Sequence, residues 1–149
     1  MLSLLSFLSL SVIPACPESS LKSLGVLFPA ACGVTDGSFP YVDTPLLAAG
    51  SFIRKENAGI AQDWIRGVPD MVCEIISPGS YEMDTAVKRA IYERYRVPEY
   101  WIILPEFMTV EILTIEGGKY KLHSFAALEG VVTSKVIEGL EINVKDIFE

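Results

Sequence analysis

Glu74 is the residue whose surroundings most demand an explanation. It stands in the apolar run Met71–Ile76 (MVCEII), between Cys73 and Ile75. Burying a carboxylate in such a run costs on the order of several kcal/mol unless it is paired, protonated or metal-bound. Glu74 could therefore bind a divalent cation, or it could be satisfied by a buried lysine or arginine. Asp70 lies four residues earlier and, by strand parity, shares a face with Val72, Glu74 and Ile76. Four strand steps of ~3.3 Å set the two Cα atoms roughly 13 Å apart. A regular strand cannot bring both to one metal. Asp70 follows Pro69 at the start of the run, where Asp often makes a turn bond. Both roles, turn bond and metal ligand, stay open.

Lys88 is the cation best spaced to reach Glu74. Asp84, Lys88 and Tyr92 recur every four residues, and at 100° per residue that row borders an apolar helical stripe. Lys88 can thus reach toward a sheet. It can equally pair with Asp84, at about 0.2–0.5 kcal/mol. Four of the 12 basic residues, Lys88, Arg89, Arg94 and Arg96, crowd into this stretch. They fit a solvated helix face or a phosphate-binding patch.

These side chains need elements to hold them. Met71–Ile76, closed by Ser77-Pro78-Gly79, predicts a buried strand ended by a turn. Glu82–Arg96 places Met83, Ala86, Val87, Ala90, Ile91 and Tyr95 at steps of three and four, which predicts an amphipathic helix. Val97-Pro98 ends it. Tyr100–Leu104 (YWIIL) predicts a second buried strand, and the intervening length allows a parallel crossover. Met108–Ile115 and Lys119–Phe125 alternate around Glu116-Gly117-Gly118-Lys119, a hairpin signal. Val131–Val136 and Leu140–Val144 predict a strand-rich tail. Leu46–Ile53 reads as a strand inside the Pro- and Gly-punctuated stretch 14–50. The fold class is α/β, in the form of an α+β mixed sheet with a flanking helix and C-terminal antiparallel strands.

Composition narrows the function. The 149 residues are 50% hydrophobic and 21% charged, which excludes a disordered chain and fits a single domain over 1–149 with an atypical part before residue 45. A net charge of −7 excludes nucleic-acid binding by bulk charge and leaves only a local basic patch. The single histidine, His123, excludes a His-rich metal centre and has no nucleophile-elbow motif beside it. Cys16, Cys32 and Cys73 form neither a disulfide framework nor a zinc site, which favours a reducing cytoplasm. Cys73 is expected to pack as a small hydrophobe. The apolar start, residues 1–16, is too short to span a membrane and lacks a basic flank, so it reads as an uncleaved segment. No membrane role is expected.

The stretch GVPDMVCEIISPGSYEMDTAVKRAIYERYRVPEYWII resembles the Uma-type restriction endonuclease family of the PD-(D/E)xK nuclease superfamily. The resemblance rests on Pro69-Asp70, Glu74, Ser77-Pro78, Asp84, Lys88, Tyr92, Val97 and Glu99-Tyr100-Trp101. It continues to Gly139-Leu140 and Asp146-Ile147-Phe148, over roughly residues 50–149. It implies a restriction-endonuclease-like core and hydrolysis of DNA phosphodiesters with Mg²⁺ or Mn²⁺. Such an ion stabilises charge on the phosphate and lowers the pKa of its water. Glu74 matches the second acidic position. Ile76 occupies the usual lysine position, so Lys88 is the expected replacement. Arg94 and Arg96 would contact phosphate, and a homodimer is compatible with this reading.

The resemblance also implies a first metal-binding Asp on the preceding strand. The matching position is Leu46 or, in the other alignment, Ala49, and neither is acidic. Asp43 is the nearest acid, with Asp70 as the other weak second ligand. Two outcomes follow: a metal-dependent endonuclease with an impaired site, or a catalytically inactive nuclease-fold protein used for binding or assembly.

Overall fold

A computed structural model describes the backbone of residues 26–29, and residues 50–60 and 67–148. Among these, six strands form one sheet in the order β1-β2-β3-β4-β5-β6. They are β1 Val26–Pro29, β2 Gly50–Ile53, β3 Met71–Ile75, β4 Glu99–Leu104, β5 Thr109–Glu116 and β6 Lys119–Ala127. β3 and β4 are parallel, and every other neighbouring pair in this sheet is antiparallel. The parallel pair is covered on both faces, which is why MVCEI and YWIIL read as nearly unbroken apolar runs.

The pleat sends alternate residues into two cores. On one face Phe52, Met71, Cys73, Trp101, Ile103 and Val110 pack against Val132, Leu140, Ile142 and Ile147 of the C-terminal part. On the other, Val72, Ile76, Tyr100, Ile102, Leu113 and Tyr120 pack around Tyr92 and Val97. Tyr92 meets Tyr100 edge-on at 5.2 Å between ring centroids, and Tyr100 meets Tyr120 at 5.8 Å. This aromatic row fixes the helix carrying Tyr92 to β4 and the hairpin.

That helix runs over 81–94 but is not uniform. Met83–Lys88 winds as a wide π turn, followed by the α-helix α1, Arg89–Arg94. The expected amphipathic stripe is only partly the packed face. Ala86, Val87 and Ala90 are exposed, and the face turned to the sheet carries Lys88 and Tyr92. The wide turn shifts the phase of the positions before Lys88, so a strict 3.6 period misassigns them. The chain then reverses at Arg96, whose φ is 56°, with Val97 N–H donating to Tyr92 O at 3.0 Å.

The β5–β6 hairpin matches its sequence signal. Gly117 and Gly118 have φ of 60° and 82°, as a two-residue hairpin turn with two left-handed residues requires. The tail departs from expectation. β7 stops at Val131–Thr133 and pairs only with β8, Glu141–Asn143, in a separate two-stranded sheet. Residues 144–148 form α2, Val144–Phe148, rather than continuing a strand. The strand stops at Thr133 because the next amides bond elsewhere: Lys135 N–H and Val136 N–H donate to the Glu99 carboxylate.

Candidate active site around Glu74

β3 places Glu74 mid-sheet between β2 and β4, in register with Ile102. The residue is 3% exposed. The helix supplies donors from above. Tyr92 Oη donates to Glu74 Oε1 at 2.7 Å, and Lys88 Nζ donates to Oε2 at 3.1 Å. The lysine side chain is 17% exposed. One turn of α-helix separates Lys88 from Tyr92, so both point to the same carboxylate. The sequence spacing that brought Lys88 toward the sheet therefore holds. Tyr92 lies on the same row, but its hydroxyl contact is not legible from spacing alone.

The other candidates are distributed differently. Asp70 does not join Glu74. Its Oδ2 accepts from Arg54 N–H at 2.8 Å and Asn57 Nδ2 at 3.2 Å, which closes the 3₁₀ turn Lys55–Ile60 against the start of β3. This is the turn bond that Pro69-Asp70 allows. Arg94 and Arg96 are exposed at the end of the helix and just beyond it. Asp43, Leu46 and Ala49 lie outside the described residues, as do Cys16, Cys32, the apolar start and the side chain of Asp84. His123 is exposed on β6, where the pairing shifts register between Ile112 and Leu113. Among the described residues no group of three His, Cys, Asp or Glu is placed to hold a metal.

Three features escape spacing rules. Glu111 pairs with Ile102, which pairs with Glu74, so Glu111 faces the same side two strands away. Two strand spacings put it roughly 10 Å off. That is too far to share one Mg²⁺, whose ligands sit at about 2.1 Å. The cross-strand register carries this signal, and a single strand read alone does not. Ser51, 1% exposed, is the second. The third is Glu99, 0% exposed and on the opposite face. It accepts from Trp101 Nε1 at 2.6 Å, Ser134 Oγ at 2.7 Å, Lys135 N–H at 2.7 Å and Val136 N–H at 3.0 Å. Cys73, next to Glu74 in sequence, is fully buried. Burial and then the Glu74 charge push its thiol far up, so it is inert.

The described residues thus form a mixed sheet with a parallel central pair, crossed by a helix that seats a lysine on a buried glutamate. A crystal structure from Anabaena variabilis, described as "a putative nuclease belonging to DUF820", shares this fold. It matches at a TM-score of 0.65 and 15% identity, over 98% of this chain and 78% of that one. The family model described as "Putative restriction endonuclease" (Uma2) matches residues 14–145, and the chain belongs to that family. The match reaches well before residue 50, so the stretch 14–49, which the resemblance left aside, falls inside it. No curated protein matches the chain. No helix among the described residues is long and apolar enough to cross a membrane.

Proposed function

We propose that the chain is a metal-dependent endonuclease that hydrolyses DNA phosphodiesters, with Glu74 and Lys88 as its catalytic pair. The observation that carries this reading is the 3.1 Å contact between Lys88 Nζ and a carboxylate buried mid-sheet. Family membership supplies the reaction class. The oxygens on this face suit a hard divalent cation: the Glu74 carboxylate, and the buried Ser51 hydroxyl on the same face of the neighbouring strand. Glu74 would hold Mg²⁺ or Mn²⁺, with Asp43 as a further ligand. Asp70 maintains the start of β3 instead. When bound, such an ion stabilises negative charge on the phosphate and acidifies its water.

The chain's own residues do the rest. Tyr92 fixes the carboxylate through Oε1. Lys88 Nζ is the donor that orients water toward the phosphate. Arg94 and Arg96 offer positive charge to the DNA backbone, a local patch in a chain of net charge −7. The setting is the cytoplasm. A plasmid-cleavage assay with Mg²⁺ and with Mn²⁺ tests the reading. Cleavage by the wild-type chain that disappears in both Glu74→Gln and Lys88→Met supports it. Cleavage that survives Glu74→Gln overturns it.

A second reading has its own support. Tyr92 and Lys88 already engage both oxygens of Glu74, and a neighbouring lysine partly cancels the charge a cation needs. The same geometry therefore suits a catalytically inactive nuclease fold used for binding. The two readings separate on whether the wild-type chain binds Mn²⁺ and nicks DNA.

A further inference from the structure

Ser51 Oγ is a buried side-chain oxygen that finds no hydrogen-bond partner among the described residues. Native structures rarely leave such an atom unsatisfied, and each case asks for a physical explanation. The position of this one is informative. β2 sets Ser51 in register with Val72, so it shares the face that carries Val72 and Glu74. Glu74 is two positions along β3 from Val72, the diagonal neighbour of Ser51. Diagonal neighbours in an antiparallel pair lie about 7–8 Å apart between Cα atoms. Ser51 Oγ makes no direct bond to the Glu74 carboxylate, and the separation leaves reach for one bridging water. The helix donors approach Glu74 from above the sheet, whereas Ser51 stands on the β2 flank.

We infer that Ser51 is a positioning residue of the Glu74 site, its hydroxyl holding a water in the hydration shell of the divalent cation. The inference rests on the reading of Glu74 as a cation ligand. Mg²⁺ and Mn²⁺ at such sites keep several waters, and these need acceptors and donors around them. Residues that hold ligands or waters from outside the first coordination sphere change metal affinity by about 10–100-fold. Without the ion, the same hydroxyl is a buried group with no compensation, so its removal should not destabilise the fold.

The experiment measures Mn²⁺ binding to the intact chain by electron paramagnetic resonance, alongside thermal unfolding. Ser51→Ala is expected to bind Mn²⁺ about tenfold more weakly and to melt at the same temperature or higher. Ser51→Cys keeps the shape but offers only a weak hydrogen-bonding group, and it should show the same loss. It also serves if Ser51→Ala does not fold. Unchanged Mn²⁺ affinity in both Ser51 variants, together with lost binding in Glu74→Gln, overturns the role of Ser51 and leaves Glu74 standing. A lower melting temperature in both Ser51 variants with unchanged binding also overturns it, because the hydroxyl would then be satisfied within the protein. No Mn²⁺ binding by the wild-type chain overturns the cation reading of Glu74 and this inference with it.

Discussion

Two carboxylates, Glu74 on β3 and Glu99 on β4, are buried in adjacent parallel strands, and the sheet turns them to opposite faces. Glu99 is enclosed by donors that cannot leave: one indole, one hydroxyl and two backbone amides. Those bonds tie β4 to the segment after β7. Glu74 is met by a tyrosine and by a lysine that retains 17% exposure. A lysine head on a long stem can withdraw toward water, whereas a backbone amide cannot. The contrast teaches how to sort buried acids. Fixed neutral donors mark a structural anchor, and a movable cation marks an acid that can change partners.

The comparison is broken most forcefully at Glu99. Glu99→Ala strands several buried donors, each costing about 1–3 kcal/mol, so a loss of about 3 kcal/mol or more is expected in urea unfolding. A variant that unfolds like the wild type would remove the anchor role. Glu74→Gln should behave in the opposite way. It keeps a hydrogen-bond acceptor for Tyr92, so the stability cost should stay near 1 kcal/mol, while DNA cleavage is lost. Lys88→Met sharpens the same point, with cleavage falling on the order of 10²-fold and a lower urea midpoint as well, because the buried Glu74 carboxylate loses its cation. Equal losses of stability at Glu74 and Glu99 would erase the distinction.

Tyr92→Phe removes one bond to Glu74 but leaves the ring contact with Tyr100, so about 1 kcal/mol is expected by the same unfolding assay. The smallest effect belongs to a third carboxylate at the surface. Hydrogen bonds from Lys119 and Tyr120 N–H hold Glu93 below its usual 4.5. Its contribution is present at neutral pH and is lost as pH falls below 4.5 through the lowered folded value. Lys119→Met should flatten that acid limb slightly, as read from urea midpoints against pH.

The central strands and the Glu74–Lys88 pair were legible because each is a local signal. MVCEII and YWIIL are short apolar runs, and the four-residue spacing from Lys88 to Tyr92 survives a helical phase shift that ends at Lys88. The wide turn at Met83–Lys88 was not legible, since it conserves composition while changing phase. The ring of donors around Glu99 was hidden for a different reason. Ser134, Lys135 and Val136 are distant in sequence and meet it only when the chain returns. The same return explains why Val131–Val136 stops early as a strand: its amides satisfy a carboxylate rather than a ladder. The first acid expected on the preceding strand, at Leu46 or Ala49, falls outside the described residues.

The π turn also sets how the chain can tolerate a change in length. Its start follows a turn in which Ser80 N–H donates to Ser77 O, and its end is Lys88, seated on Glu74. Deleting one residue between these points would let the segment close into ordinary α-helix with both ends in phase, since a π turn holds one residue more than the α turn it replaces. Lys88 would then stay on the carboxylate with the Ser77–Ser80 turn intact. The same deletion within Arg89–Arg94 would instead rotate one side against the other by about 100°. A single-codon deletion that a regular helix would transmit to its packed face would here be absorbed before it reached the glutamate.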